Sequence, residues 1–161
     1  VFFVKDQPIE QLSINMDAYL IVADTGQTGQ TLKAIQSVKA LLSKVTYQID
    51  SLSDPKQAIK ELGQLTKLAK EALLNNYILE LGEVMNQAHQ LLASLTVSNQ
   101  TLDRLAQAAR QAGALGAKLT GGGRGGCLIA LAKDKESAEK IARSLLEQGA
   151  KQAWCQYLGN L

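Results

Sequence analysis

Between residues 25 and 116 the hydrophobic pattern of this chain is almost entirely helical, while short continuous apolar runs stand at both ends. Asp17 to Asp24 reads Asp-Ala-Tyr-Leu-Ile-Val-Ala-Asp, an apolar run bounded by acids and therefore a buried strand. Cys127 to Ala132 and Ala153 to Leu158 read the same way near the other end. Strands set apart from a block of helices favour an α+β fold over a parallel sheet of alternating strands and helices. The 161 residues, 46% of them hydrophobic, make one domain with enough chain to bury a sizeable core. No internal repeat or low-complexity segment interrupts it.

The helices announce themselves by spacing and by end signals. Leu32, Ile35, Val38, Leu41, Leu42 and Val45 fall on one face of a helix over 31–49. Ser53-Asp54-Pro55 is a start signal for a helix over 55–74, with Gly63 inside it at a cost of about 1 kcal/mol relative to Ala. Leu79, Val84, Ala88, Leu91 and Leu92 support a helix over 77–94. Ser98 is expected to cap the next helix, which carries Leu102, Leu105, Ala108, Ala109 and Ala112 and ends at Gly113 and Gly116. Asp134 caps a last helix over 135–148, closed by Gly149. Val1-Phe2-Phe3-Val4 looks like the middle of a strand, as if the chain were a piece of something larger.

Composition removes several kinds of function. A net charge of +2, with no block of five like charges, gives no support for nucleic-acid or membrane-surface binding. Aromatic residues make up only 4%, too few for base-stacking platforms. No apolar stretch approaches the roughly 18 residues needed to span a bilayer. Cys127 and Cys155 do not make a disulfide framework, and their apolar contexts suggest reduced, buried thiols in a cytoplasmic protein. His89 is the single histidine and has no ligand-spaced partner, so a hydrogen-bonded helix histidine is expected rather than a zinc site.

Five of the six residues from Gly121 to Gly126 are glycine, with Arg124 the exception. Such a run is costly to order, and suits backbone that must approach something closely or aim several N–H groups at one anion. A flexible linker would be longer and Ser-rich, and a tight hairpin needs only two to five residues, so phosphate is the favoured object. Thr120 stands at the mouth of this loop with a hydroxyl for phosphate, substrate or the turn itself. Arg124 offers either a phosphate contact or an interface arginine, and Lys118 reads as a strand-edge lysine. Asp24, Thr25 and Thr28 follow the first strand, where they either line a site or end the strand and cap the next helix through Thr28 or Thr31. Asp103, in the first turn of its helix, favours the helix dipole.

Several stretches match one superfamily in order and spacing: Gly82 to Leu92, Leu95 to Ser98, Leu102 to Leu105, and Gly113 to Cys127. Together they resemble the C-terminal half of the kinases that include galactokinases, homoserine kinases, mevalonate kinases and phosphomevalonate kinases. Lys118 to Cys127 is similar to their third signature motif, and its wording is most similar to bacterial mevalonate kinases. The galactokinase form, Arg-Met-Thr-Gly-Gly-Gly-Phe-Gly-Gly-Cys, differs at Lys118, Leu119 and Arg124.

The resemblance implies a ferredoxin-like antiparallel sheet covered by helices, with additional helices, over residues 1–161 as a C-terminal domain. The family's N-terminal lysine region, its Gly-Leu-Gly-Ser-Ser-Ala phosphate loop and its catalytic Asp are not in this sequence. It follows that the ATP-binding catalytic domain lies outside the chain, which holds no catalytic residue and no metal ligand of its own. The implied reaction moves the γ-phosphoryl of ATP, with Mg2+, to the primary hydroxyl of mevalonate, giving 5-phosphomevalonate for isoprenoid synthesis. In that picture Thr120, Gly121, Gly122, Gly123, Gly125 and Gly126 support the phosphate loop, while Asp24, Thr25 and Thr28 line the substrate site. ATP, mevalonate, the N-terminal domain and a second copy in a homodimer are the implied partners, and the isolated chain is expected to be inactive. A galactokinase-type or other metabolite kinase of the superfamily, or a non-catalytic half-kinase binding module, is the alternative.

Overall fold

A computed structural model of the chain describes residues 1–44 and 54–159. Its elements run β1 (Tyr19–Asp24), α1 (Thr31–Lys44), α2 (Pro55–Leu74), α3 (Ile78–Ser94), α4 (Gln100–Gln111), β2 (Gly116–Thr120), β3 (Cys127–Ala132), α5 (Lys135–Glu147) and β4 (Gln152–Tyr157). The strands form one four-stranded sheet in the order β2-β3-β1-β4, with every neighbouring pair antiparallel. With α4 and α5 as the crossover helices this is a ferredoxin-like α+β arrangement, and α1, α2 and α3 are inserted ahead of α4.

Period-two alternation gives each face of the sheet its own layer. Ile21, Ala23, Leu119, Leu128 and Ala130 point to one side, where Leu102 and Leu105 of α4 and Ile141 and Leu145 of α5 close over them. Each fully buried leucine there contributes about 1.5–3 kcal/mol. The other face holds Leu20 and Leu131, packed with Met16 and Leu158 against Ala72 of α2 and Leu81 and Met85 of α3.

One contact sets how closely α3 lies on β2. A Cβ on Gly116 would overlap the Gly82 carbonyl, and one on Gly82 would come within 2.6 Å of the Leu115 carbonyl oxygen. Helix and strand therefore meet backbone to backbone, which only glycine permits. Two α3 side chains at helical spacing then cover the open edge of β2. The Asn86 Nδ2 donates to the Leu115 carbonyl at 3.1 Å, the Ala117 N–H donates to Asn86 Oδ1 at 3.1 Å, and the Leu119 N–H donates to His89 Nδ1 at 3.2 Å. An edge that would otherwise show unpaired backbone is thereby satisfied.

Several expectations change at the element ends. Asn99, not Ser98, caps α4 by accepting from the Leu102 N–H at 2.9 Å, and the Ser98 hydroxyl instead donates to Asp103 at 2.5 Å. Gly113, at φ +104°, follows the end of α4, whereas Gly116 already opens β2. Asp54 caps α2 through the Lys56 N–H at 3.0 Å, with Pro55 in the first turn, and Asp134 caps α5 through the Ser137 N–H at 2.7 Å. Val1 to Val4 form no strand; Phe2 makes a single isolated bridge to Glu10, because Asp6 turns the chain at φ +63°. Residues 45–49 of the helix expected over 31–49, and Ser53, lie outside the described residues.

Candidate functional site

The register of the sheet places two of the expected site residues, Thr120 and Asp24, in one row, with the others in the loops beyond it. Thr120 faces Cys127, Cys127 faces Asp24, and Asp24 faces Gln152. Opposed residues share a face, so Thr120 and Asp24 sit on the same side of the sheet, two strands or about 10 Å apart. The next row on that face holds Lys118, Ile129, Val22 and Trp154. At this end the strands open into two loops, the glycine run after β2 and the 25–30 turn after β1.

Those two loops are fastened together. The Thr25 N–H and hydroxyl both donate to the Gly126 carbonyl, at 2.9 and 2.7 Å, and the Gly126 N–H donates to the Gln27 carbonyl at 2.7 Å. The Gln30 N–H donates to the Gly123 carbonyl at 3.1 Å. From the α3–α4 connection, the Val97 carbonyl accepts the Arg124 N–H at 2.9 Å. Gln27 also reaches α4, donating to the Thr101 hydroxyl and accepting from Asn99 at 3.4 Å each.

The glycine run is the connection of an antiparallel hairpin between β2 and β3, a reading its six-residue length had argued against. What its backbone approaches so closely is largely this chain itself. A Cβ on Gly122 would strike the Thr31 hydroxyl, one on Gly123 the Val97 carbonyl, and one on Gly125 the Thr28 carbonyl at 2.8 Å. Gly121, at φ +85°, alone looks into open space, with Thr120 beside it. The Thr120 hydroxyl makes no hydrogen bond with a described residue, so of the roles open to it the cap of its own turn is not formed.

Arg124 adopts φ +54° and is held through two of its three guanidinium nitrogens. Its Nε donates to the Thr96 carbonyl at 2.9 Å, and its Nη2 donates to the Ser37 and Thr96 hydroxyls at 2.9 and 3.3 Å. It clasps the glycine loop to α1 and to the residues that follow α3. Thr25 is buried, Asp24 accepts from the Gly26 N–H at 2.9 Å, and Thr28 is exposed on the turn.

His89 is buried between two partners, the Leu119 N–H at Nδ1 and Asp103 at 3.2 Å from Nε2, which fixes Nε2 as the protonated nitrogen. Burial, ahead of the opposing pull of Asp103, holds its pKa below the ordinary 6.5. Asp103 thus receives Ser98 and His89 besides standing in the first turn of α4. The two thiols are free, but they are not buried as expected: Cys127 is half-buried and Cys155 is exposed on the edge strand β4. Burial raises the pKa of both. The parts sequence reasoning missed, Gln27, Thr31 and Val97, serve the loop from far along the chain and carry no local signal.

The sequence pattern of the family described as GHMP kinases C terminal matches residues 69–151, which include α3, α4, the glycine hairpin and α5. The chain belongs to the GHMP kinase family. It is 38% identical over 123 residues to the mevalonate kinase of Thermococcus sibiricus, a match covering 73% of this chain and 35% of that protein. To the mevalonate kinase of Pyrococcus horikoshii it is 39% identical over 136 residues, covering 79% and 39%. The crystal structure of L. major mevalonate kinase in complex with R-mevalonate superimposes with a TM-score of 0.82 at 29% identity, covering 94% of this chain and 45% of the other. The chain therefore spans less than half the length of these relatives.

Proposed function

We propose that the chain is the C-terminal domain of a mevalonate kinase, which transfers the γ-phosphoryl of ATP to the primary hydroxyl of mevalonate. The observation carrying this reading is the glycine hairpin. It combines an unoccupied threonine hydroxyl and an open glycine at the mouth of a loop whose other glycines are locked against its own framework. Identity near 38–39% with mevalonate kinases supports the choice of substrate within the family.

Phosphoryl transfer asks little covalent work of the protein and depends on positioning and charge stabilisation. In this reading Thr120 and the Gly121 backbone form one wall of the transfer site and steady the phosphate loop of the N-terminal domain. Thr25, Gln27 and Arg124 keep that wall in place, and Asp24 and Thr28 line its substrate side. Mg2+ neutralises phosphate charge in such a reaction. As the family resemblance implies, its ligands are assigned to the N-terminal domain together with the ATP site and the catalytic base.

The test is a substrate panel on the intact enzyme. ADP release that depends on mevalonate, and not on galactose or homoserine, is the expected result; preference for galactose would return the reading to a galactokinase type. Residues 1–161 alone are expected to release no ADP with any of the three.

A further inference from the structure

Between α2 and α3 on one side and the sheet on the other lies a cavity of about 590 Å³. The volume is in the range of small-molecule sites. Leu65 and Ala69 of α2, Met85 and Ala88 of α3 and Ile129 of β3 are typical of its wall. Only Thr66 and Lys118 bring polar groups to it, and the Thr66 hydroxyl is spent on the Leu62 carbonyl at 2.8 Å. Lys118 carries the only charge among the lining residues. Its ammonium donates one hydrogen bond, to the Leu119 carbonyl at 2.8 Å, and no carboxylate of a described residue lies within 4 Å. Burial lowers its pKa, the response of a cation with no counter-ion at hand.

We propose that this cavity binds a single-chain monocarboxylate amphiphile, its head on Lys118 and its hydrocarbon chain along the apolar wall between α2 and α3. The argument is one of complementarity. A lysine has three N–H donors, so two remain for the two oxygens of a carboxylate. One cation matches one negative charge. A phosphate dianion or a diphosphate would leave surplus charge in an apolar setting, at a cost that no second cation in the wall offsets. An uncharged chain would fill the cavity but leave the ammonium as it is. The inference uses the cavity and Lys118 alone and stands independently of the kinase reading.

Calorimetric titration of the 161-residue chain with dodecanoate, dodecanol, dodecyl phosphate and dodecyltrimethylammonium, all kept below micelle formation, separates the contributions of head and chain. Dodecanoate should bind saturably at one site, at least about tenfold more tightly than the other three, as one charge-assisted contact allows. Lys118→Met should bring dodecanoate down to the level of dodecanol, and Lys118→Gln gives a second reading if the first variant does not fold. Ala88→Trp, which fills the cavity and leaves Lys118 in place, should abolish binding of both. Equal affinity for all four heads, tighter binding of the phosphate, absence of saturable dodecanoate binding, or a carboxylate preference that survives at Lys118→Gln would each overturn the proposal.

Discussion

The Thr25 hydroxyl donates to the Gly126 carbonyl at 2.7 Å, joining residues 101 positions apart and fastening the turn after β1 to the far end of the glycine hairpin. The same oxygen accepts the Gln27 N–H at 3.2 Å, so one buried side chain organises both loops. Thr25→Val keeps the shape and removes both bonds. Because the Thr25 N–H still holds the Gly126 carbonyl, it should destabilise the protein by about 0.5–1.5 kcal/mol, the range for a typical hydrogen bond, and speed hydrogen exchange at the Gly126 amide. Urea unfolding and exchange measured by NMR check this. Wild-type exchange at Gly126 would mean that the loops hold together without the hydroxyl.

Three glycines sort by what surrounds them. Gly63, exposed within α2 with nothing near a would-be Cβ, should accept Ala with a gain of about 0.5–1 kcal/mol. Gly122→Ala should be destabilising because the new methyl strikes the Thr31 hydroxyl at the start of α1. Gly116→Ala should be worse, since it drives backbone against backbone at Gly82. Thermal unfolding of the three variants gives the order directly; a tolerated Gly116→Ala would contradict the close approach of α3 to β2.

Arg124 distinguishes a clasp from a phosphate ligand. Arg124→Met removes the contacts to Thr96 and Ser37 and should cost about 1–3 kcal/mol of stability. A residue serving only to bind phosphate would leave the unfolding free energy unchanged while raising KM for ATP in the intact enzyme. The urea midpoint and slope, read together with KM, separate the two.

His89 gives the fold a pH dependence of known sign. Its folded pKa lies below 6.5, chiefly through burial, with Asp103 on α4 opposing the shift and Arg110 on α4 and Lys118 on β2 adding to it. The unfolded chain then binds more protons, so this contribution is complete above about pH 6.5 and is lost as the pH falls toward the folded value. Protonation would also turn Nδ1 into a donor facing the Leu119 N–H. Unfolding free energies between pH 5 and 8 should fall on the acid side, with a smaller fall in His89→Gln. An identical slope in the variant would remove His89 as its source.

Where local chemistry decides, the sequence was readable: the alternation of β1, the Asp54-Pro55 start of α2, and the Asp134 cap of α5 all depend on residues within a few positions. Where a partner lies far along the chain, it was not. Ser98 and Asn99 are equally good caps by type, and only the pull of His89 and Ser98 on Asp103 shows why Asn99 takes the position. The glycine run pointed to close approach, but that it approaches Thr31, Val97 and Thr28 is a fact of tertiary packing. His89 was readable as a hydrogen-bonded helix histidine, whereas the strand edge that it and Asn86 cover was not. Cys155 looked buried because its neighbours are apolar, yet β4 is an edge strand, and Cys155 stays exposed there even though its Sγ meets the Ala138 carbonyl of α5.

The most direct test of the account is the turnover of Thr120→Ala in the intact kinase, with thermal stability measured on the same preparation. The account expects kcat with mevalonate to fall by at least about tenfold, as when a donor to a phosphoryl-transfer transition state is removed, while the melting temperature stays within a degree or two of the parent. Unchanged kcat, or a loss matched by an equivalent loss of stability, would contradict the assignment of this hairpin to the transfer site.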